Sequence, residues 1–273
     1  MLSISDNDFH RLVNFVKTSY GIDLSKKKSL ISGRLSGYLY ALGYDNFHDY
    51  VNHLLTDQVP SDIEEMLNRL TTNYTYFLRE EEHFNYFRNT ILPWLKKIHS
   101  GDRVLSIWSA GCSSGQEPYT ISMILKDYFG REAPLWDTRV LATDISQKVL
   151  STAKEGIYDG ESLQNLPASW KQKYFTPSSI PGMFQVSKQL RSNVIFRTFN
   201  LMDPIHFRLK FDVIFCRNVM IYFEQATKDA LAERFYKATR PGGYLLIGHS
   251  ESLNKTSTSY SYIMPAVYRR KEQ

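Results

Sequence analysis

The chain has 273 residues, of which 42% are hydrophobic and 22% charged, as in an ordinary globular protein. Its length exceeds that of one small domain and favours two. No apolar run approaches the roughly 18 residues of a membrane span, and the first residues lack the basic and apolar blocks of a signal peptide. These features predict a cytoplasmic protein and argue against a membrane-spanning one.

The formal net charge is +5, and the excess of basic residues lies after residue 75. Such a mild excess suits an acidic partner, whereas a nucleic-acid enzyme more often carries a concentrated basic stripe. The two cysteines, Cys112 and Cys216, have neither CxxC nor Cys/His spacing. The sequence therefore predicts no zinc site and no disulfide framework.

Residues 1–75 are predicted to form an all-helical N-terminal domain, because apolar residues recur there at helical spacing without the glycine turns of a cofactor fold. Capping residues and glycines predict the limits of the helices. The four helices are predicted between Ser5 and Gly21, from Lys26 to Leu42, around Phe47 to Leu55, and around Ser61 to Arg69.

Residues 76–273 are predicted to form an α/β domain. After a linker at 71–79 and a helix over 80–98, strands and helices alternate, which is typical of a doubly wound parallel sheet. Strands are predicted near 104–108, 139–143, 194–198, 211–216, 243–248 and 261–268, and helices near 117–128, 146–154 and 224–238. Gly, Pro and Ser clusters at about 156–195 interrupt the alternation and predict an inserted antiparallel β-subdomain.

The first predicted strand of this domain leads into a glycine turn at Gly111 and Gly115 and then into a helix. Glycines there let the backbone approach a ligand closely, and ligands of such sheets bind at the carboxyl ends of the strands. Asp144 ends the next strand, where a carboxylate can accept hydrogen bonds from ribose hydroxyls. NAD enzymes, flavoproteins and methyltransferases all share these two features.

Glu117 discriminates among them, because it begins the helix after the glycine turn. A carboxylate there repels a pyrophosphate and favours a ligand that carries an ammonium or sulfonium group. S-adenosylmethionine carries both cations, so the sequence favours it as the cofactor; a helix-start glutamate without ligand contact is the alternative.

Four motifs occur in order and at compatible spacing: TTNYTYFLR from residue 71, AGCSSGQEPY from residue 110, ATDIS from residue 142 and FCRNVMIYF from residue 215. With them the chain resembles the CheR-type chemoreceptor methyltransferases over nearly its whole length. The resemblance implies a class I S-adenosylmethionine-dependent methyltransferase fold, Rossmann-like, with a helical front domain. It also implies transfer of a methyl group to glutamate side chains on the cytoplasmic helices of chemoreceptors, in sensory adaptation.

The resemblance implies two sets of site residues. Arg79 and Tyr222 are implied as catalytic, Arg79 because a guanidinium matches a carboxylate in planar geometry and Tyr222 beside the methyl group. The cofactor-binding residues implied are Asn73, Thr75, Arg79, Gly111, Glu117, Asp144, Asn200, Leu201, Arg217 and Asn218.

The chemistry implied by the resemblance needs no general base, because a glutamate of pKa about 4.3 is already ionised at neutral pH. Alignment of the reacting atoms and removal of water are expected to supply the rate. The seven histidines form no dyad by sequence, and His249 is predicted to be structural. No metal is expected.

The implied partners are acidic receptor helices, for which Lys26, Lys27, Lys28 and Arg34 are the candidate docking residues. A solvated basic helix face is the alternative. The insertion resembles the subdomain with which some members grip a receptor tail peptide, but its loop at 176–182 is short, which favours a member that does not need the tail. A monomer is expected.

Three further hypotheses remain open from the sequence. Cys112 and Cys216 are predicted to border the cofactor pocket, with two inert buried thiols as the alternative. A nucleic-acid methyltransferase would fit the basic insertion and the many aromatic residues. A non-catalytic S-adenosylmethionine-sensing scaffold is the alternative outside enzymes.

Overall fold

The computed structural model describes residues 2–72 and 74–272. The chain divides into two compact units. The first contains Met1–Asn73 together with Tyr222–Lys228, and the second contains Tyr74–Ile221 together with Asp229–Gln273. No helix within residues 2–72 and 74–272 is long and apolar enough to cross a bilayer.

The first unit is built from helices whose apolar faces are buried. The Ser5 hydroxyl accepts a hydrogen bond from the Asp8 backbone N–H and caps the first helix, which ends at Gly21 with a left-handed φ of 73°. These limits agree with the sequence expectation. The helices are α1 (Asp6–Tyr20), α2 (Lys28–Ala41), α3 (Phe47–Asp57) and α4 (Pro60–Leu70).

The second unit begins with a helical stretch that the sequence predicted as one helix over 80–98. It consists of α5 (Glu81–Tyr86), a π-helical turn (Phe87–Ile91) and α6 (Leu92–Ile98). Pro93 has no N–H for the carbonyl four residues earlier, and the Leu92 N–H donates to the Phe87 carbonyl five residues earlier. The expectation of a regular helix was therefore wrong in this turn.

A seven-stranded sheet dominates the second unit. Its strands are β1 (Ile107–Ala110), β2 (Val140–Asp144), β6 (Val194–Thr198), β7 (Phe211–Cys216), β8 (Thr239–Ile247), β9 (Ser261–Met264) and β10 (Val267–Arg269). The order is β6-β2-β1-β7-β8-β10-β9. The first five strands are parallel, and β10 is antiparallel to both of its neighbours. The predicted doubly wound α/β sheet is confirmed.

Helices connect these strands and cover the sheet: α7 (Gln116–Phe129), α8 (Gln147–Glu155) and α11 (Gln225–Ala238), with 3-10 turns at Gly130–Leu135 and Met220–Tyr222. The chain leaves β1 toward β2 and leaves β7 toward β8. The order of the strands therefore reverses between β1 and β7, and a crevice outside their carboxyl ends is where such sheets bind ligands.

A small three-stranded antiparallel sheet of order β3-β5-β4 fills the insertion. Its elements are β3 (Ile157–Asp159), α9 (Ala168–Tyr174), β4 (Phe175–Pro177), β5 (Met183–Val186) and α10 (Lys188–Arg191). The antiparallel insertion is confirmed. β6 occupies Val194–Thr198, as predicted for a strand near 194–198, so the insertion ends just before residue 194 rather than at about 195.

Three predicted strands differ from the structure. β8 begins at Thr239 rather than near residue 243, and the strands predicted near 104–108 and 261–268 differ as follows. The first strand of the α/β domain, β1, begins at Ile107 rather than at Val104. Val104 makes only an isolated bridge to Asp137. The stretch 261–268 is two strands, because Pro265 cannot donate to a ladder and Ala266 adopts a left-handed φ of 62°.

Candidate cofactor and active site

The glycine turn after β1 is held tightly against the next strand. The backbone N–H groups of Gly111 and Cys112 both donate to the Thr143 carbonyl, at 2.8 and 2.9 Å. Gly111 has φ of 82°, and a Cβ at this position would lie 2.3 Å from a methyl carbon of Val219. Only glycine fits there, so the turn can lie close to the chain that follows β7.

Asp144 fixes the carboxyl end of β2. One of its carboxylate oxygens accepts from the Ser113 N–H at 2.8 Å, and the other accepts from the Ser146 N–H at 3.0 Å. The first of these bonds ties β2 to the glycine turn, and the second orients the loop before α8. Asp144 thus ends the second strand of the sheet, as the sequence predicted.

Glu117, in the first turn of α7, is paired on both oxygens. Ser109 donates to one oxygen at 2.7 Å, and Arg217 lies 3.1 Å from the other. Burial raises the pKa of Glu117 above the usual glutamate value, although Arg217 and the Ser109 hydroxyl oppose that shift. Arg217 follows β7, and only 2% of its side chain is exposed.

Glu80 is the second carboxylate on Arg217. It lies 3.1 Å from the guanidinium, and it accepts from the Asn218 side-chain amide at 3.1 Å and from the His249 backbone N–H at 3.2 Å. Burial opposes ionisation, but Arg217 and the Asn218 amide outweigh it and keep the pKa of Glu80 below its usual range. Arg217 also donates to the Arg79 carbonyl. One buried cation thus organises two acids and the preceding loop.

Arg79 lies on that loop with its guanidinium directed back along its own segment. It donates to the Tyr74 carbonyl at 2.7 Å, and its charge lies 5.8 and 5.9 Å from the rings of Tyr74 and Tyr76. Cation–π contacts hold it in place. Thr75 lies between these tyrosines and is half-buried.

Asn200 and Leu201 follow β6. The Asn200 side-chain oxygen accepts from the Met202 N–H at 3.0 Å, and Leu201 is buried. Arg234 of α11 donates to the Leu201 carbonyl at 2.7 Å and to the Met202 carbonyl at 3.0 Å. The Asn200 side chain and the Arg234 guanidinium therefore hold the backbone of this loop.

Glu251 supports the loop after β7 from behind. One of its oxygens accepts from the N–H groups of Asn218 at 2.8 Å and Gly248 at 2.6 Å. Burial raises the pKa of Glu251, although these backbone N–H groups oppose the shift. Asn218 has a left-handed φ of 59°, as have Leu78 at 59° and Glu80 at 57°. Strained backbone of this kind is concentrated at functional sites.

The other pocket residues predicted from the sequence are Asn73, Tyr222, Cys112 and Cys216. Asn73 falls outside the described residues. Tyr222 belongs to the first unit, where its hydroxyl donates to the Thr72 carbonyl at 3.2 Å and accepts from the Thr72 N–H at 3.3 Å. Cys112 and Cys216 are both fully buried, and burial raises the pKa of each thiol well above its usual value.

The four candidate docking residues also belong to the first unit and differ in their engagement. Lys26 and Lys27 are exposed at the start of α2. Lys28 pairs with Asp6, and Arg34 donates to the carbonyls of residues 69, 70 and 71 at 3.1 to 3.2 Å. Arg34 therefore caps the end of α4, in addition to any role at the surface.

The sequence analysis missed Ser109, Glu80 and Glu251 as members of the network. Glu80 is the residue directly after the first quoted motif, which ends at Arg79. Glu251 is the last residue of the Gly-His-Ser-Glu run at 248–251. Their motif positions were visible, but partners 33 to 169 residues away in the chain were not.

Two family profiles match the chain. Residues 7–71 match "CheR methyltransferase, all-alpha domain", and residues 73–268 match "CheR methyltransferase, SAM binding domain". The profile match over residues 73–268, together with the doubly wound sheet, defines an S-adenosylmethionine-binding methyltransferase. The chain belongs to the CheR methyltransferase family, as the resemblance of its motifs indicated.

Relatives match over nearly the whole chain. A "Chemotaxis protein methyltransferase" of Borreliella burgdorferi is 44% identical over 273 residues, which cover 98% of this chain and 96% of the relative. One of Escherichia coli is 36% identical, covering 98% and 92%. "Chemotaxis protein methyltransferase 1" of Pseudomonas aeruginosa is 35% identical, covering 99% and 100%.

Proposed function

We propose that this protein transfers the methyl group of S-adenosylmethionine to glutamate side chains on the cytoplasmic helices of chemoreceptors, giving glutamyl methyl esters. The observation that carries the proposal is the match to chemotaxis protein methyltransferases along nearly the entire chain. Such a substrate would place the enzyme in the cytoplasm, at membrane-bound receptor arrays. The nucleic-acid and scaffold alternatives have no support in these comparisons.

The residues at the sheet edge fit S-adenosylmethionine. Asp144 is proposed to accept from the ribose hydroxyls, and the Glu117 carboxylate to face the cationic end of the cofactor. Gly111 has no Cβ, which lets the turn pack against Val219, and its backbone is proposed to approach the cofactor closely. Thr75, Asn200, Leu201, Arg217 and Asn218 are proposed to complete the cofactor site, together with Asn73. The bound cofactor supplies an electrophilic methyl carbon.

Arg79 and Tyr222 are proposed to act on the substrate side. The Arg79 guanidinium, steadied by the Tyr74 carbonyl and two tyrosine rings, matches the geometry of an incoming carboxylate. No side chain needs to remove a proton, because that carboxylate is already ionised. The task of these residues is to orient it and to exclude water.

Receptor docking is proposed for the start of α2. Lys26 and Lys27 are exposed there and present positive charge to an acidic helix. Lys28 and Arg34 are already paired within the first unit and are expected to contribute less.

The test is incubation of the full chain with methyl-labelled cofactor and receptor cytoplasmic fragments. We expect label that alkali releases as methanol, the signature of an ester. A matched fragment with each acceptor glutamate replaced by alanine is expected to stay unlabelled. Label on RNA or DNA would support the nucleic-acid alternative instead. Cofactor binding without label on any receptor fragment would support the scaffold.

A further inference from the structure

A second cluster lies beside the Arg217 network, on the side of α5 and the β8–β9 loop. Glu80, His83 and His249 each offer one ligand atom, and these three atoms lie within 4.8 Å of one another. Glu80 and His83 stand three residues apart at the start of α5, where both face the same side. The ring of His249 lies 4.5 Å from the ring of His83, centroid to centroid.

His83 is the unusual member of this cluster. Its side chain is 0% exposed, and neither ring nitrogen completes a hydrogen bond with any described residue. Its Nδ1 lies 3.4 Å from a Glu80 oxygen, and the Pro265 backbone interacts with the ring without completing a hydrogen bond. A buried polar side chain without a completed hydrogen bond is costly, so its retention calls for an explanation. A bound ion is one of the few groups that would supply it.

We infer that Glu80, His83 and His249 form a binding site for a borderline-soft divalent ion such as Zn²⁺. Two imidazole nitrogens and one carboxylate oxygen are a ligand set that zinc accepts, with water in the fourth position. The three ligands come from positions 80, 83 and 249, so no local Cys/His spacing announces them. The expectation of no metal, drawn from spacing alone, is therefore replaced by this proposal.

The geometry also defines how the ion would enter and adjust its ligands. His249 is exposed, whereas His83 is buried, so the cluster opens to solvent on the His249 side. Zinc–ligand distances are about 2.0–2.2 Å, and the exposed ring of His249 is the member with freedom to turn inward.

Arg217 limits the affinity of the site. Its guanidinium lies 3.1 Å from Glu80 and opposes any further positive charge. We therefore expect weaker binding than at structural zinc sites, in a range where the ion exchanges. The Glu80 carboxylate has lone pairs for both the guanidinium and an ion, so the two can be bound together.

The test uses the full chain after treatment with a chelator. Zn²⁺ is titrated in competition with a chromophoric indicator, and Co²⁺ absorption in the visible range reports the coordination. We expect one equivalent to bind and His249→Gln to weaken binding at least tenfold. His206→Gln, which replaces an exposed histidine outside the cluster, is the matched control and is expected to change nothing.

His83→Gln serves as the second variant, and its fold is checked by circular dichroism. Absence of Zn²⁺ binding by the wild type, unchanged affinity in His249→Gln, or loss of affinity in His206→Gln would each overturn the proposal. If His83→Gln fails to fold, His249→Gln alone decides. The result is independent of methyl transfer, because a protein inactive on receptors would still bind or fail to bind the ion.

Discussion

The carboxylate of Glu117 and the guanidinium of Arg217 lie 3.1 Å apart although the two residues are 100 positions apart in the chain. Glu117 begins α7 after β1, and Arg217 follows β7, so their ion pair joins the two strands between which the strand order reverses. The pair therefore braces the crevice in which this class of sheet binds its ligand. It also explains how a buried carboxylate is tolerated at the start of α7.

Glu117→Gln is the first prediction. The amide keeps an oxygen for Ser109 or Arg217 but removes the charge proposed to face the cationic end of the cofactor. We expect the dissociation constant for S-adenosylhomocysteine to rise about tenfold or more, equivalent to about 1.4 kcal/mol. Isothermal titration calorimetry measures it. Glu132→Gln, which removes an exposed partner of Lys96, should leave the affinity unchanged; equal affinity in both variants would remove Glu117 from the cofactor site.

The sequence predicted most of the fold because the signals were local. Ser5 and Gly21 marked the first helix by capping chemistry, and runs of buried residues marked the strands. The sequence-based prediction was wrong where contacts between distant parts of the chain determine the local structure. The π-helical turn before Pro93 and the displacement of β1 from Val104 to Ile107 depend on neighbours that periodicity does not encode.

The site was predicted as a set of positions but not as a network. Gly111, Glu117 and Asp144 were predicted from a glycine turn, a helix start and an acid at a strand end, and the structure has these elements at those positions. Glu80 and Glu251 looked like ordinary helix-start and loop carboxylates. Their roles depend on partners at Arg217, Asn218 and the 248–249 backbone, which only folding brings together.

Glu251 provides the second prediction. Glu251→Ala would leave the N–H groups of Asn218 and Gly248 without their shared acceptor, at a cost of about 2–4 kcal/mol in the free energy of unfolding. Glu251→Gln retains one acceptor oxygen, which suffices for the oxygen that both groups use. We expect it to lose about 1 kcal/mol and to keep most of the affinity for S-adenosylhomocysteine.

Urea unfolding and calorimetry on both variants measure this difference. A purely structural role would lower stability without a change in cofactor affinity, whereas support of Asn218 predicts a higher dissociation constant in the alanine variant. If Glu251→Gln proved as damaging as Glu251→Ala, the charge rather than the acceptor would be what the loop needs.

Asp127 carries the third prediction, on pH. It accepts from Trp170, Lys173 and Tyr174 at 2.5 to 2.6 Å and so ties α7 to α9. Burial opposes ionisation, but these donors outweigh it and hold the pKa of Asp127 below its usual range. A lowered folded-state pKa gives stability that is complete above the unfolded value of about 3.9 and is lost as the pH falls below it.

We therefore expect Asp127→Asn to lose about 1–2 kcal/mol of unfolding free energy at pH 7, with the gap to the wild type closing below about pH 4. Urea titrations at several pH values measure it. Glu161→Gln changes an exposed carboxylate in the insertion that contains α9, and its unfolding free energy should equal that of the wild type at every pH. A gap that persists at low pH would mean that packing, and not the charge, stabilises this contact.

Tyr222→Phe is the fourth prediction. The hydroxyl bonds both backbone groups of Thr72, and we expect its loss to lower the free energy of unfolding by about 1 kcal/mol. The proposed substrate-side role adds a fall in kcat of about tenfold or more, with the KM for the cofactor unchanged. Methyl-transfer kinetics on receptor fragments distinguish the structural role from the substrate-side role. An unchanged kcat would show that the Tyr222 hydroxyl contributes to stability alone.

Receptor docking gives the last prediction. Lys26 and Lys27 are exposed at the start of α2, while Lys28 and Arg34 are paired within their own unit. Reversing these two exposed charges together with Lys26→Glu and Lys27→Glu should raise the KM for an acidic receptor fragment several-fold and leave cofactor affinity unchanged. Because exposed charges are screened by salt, the difference from the wild type should shrink as the ionic strength rises toward 1 M, where the Debye length is about 3 Å. Lys255→Glu combined with Lys271→Glu reverses two exposed charges in the other unit and serves as the control. Steady-state methylation at several salt concentrations measures all three proteins, and an equal effect of the control would show that net charge, rather than this helix, attracts the receptor.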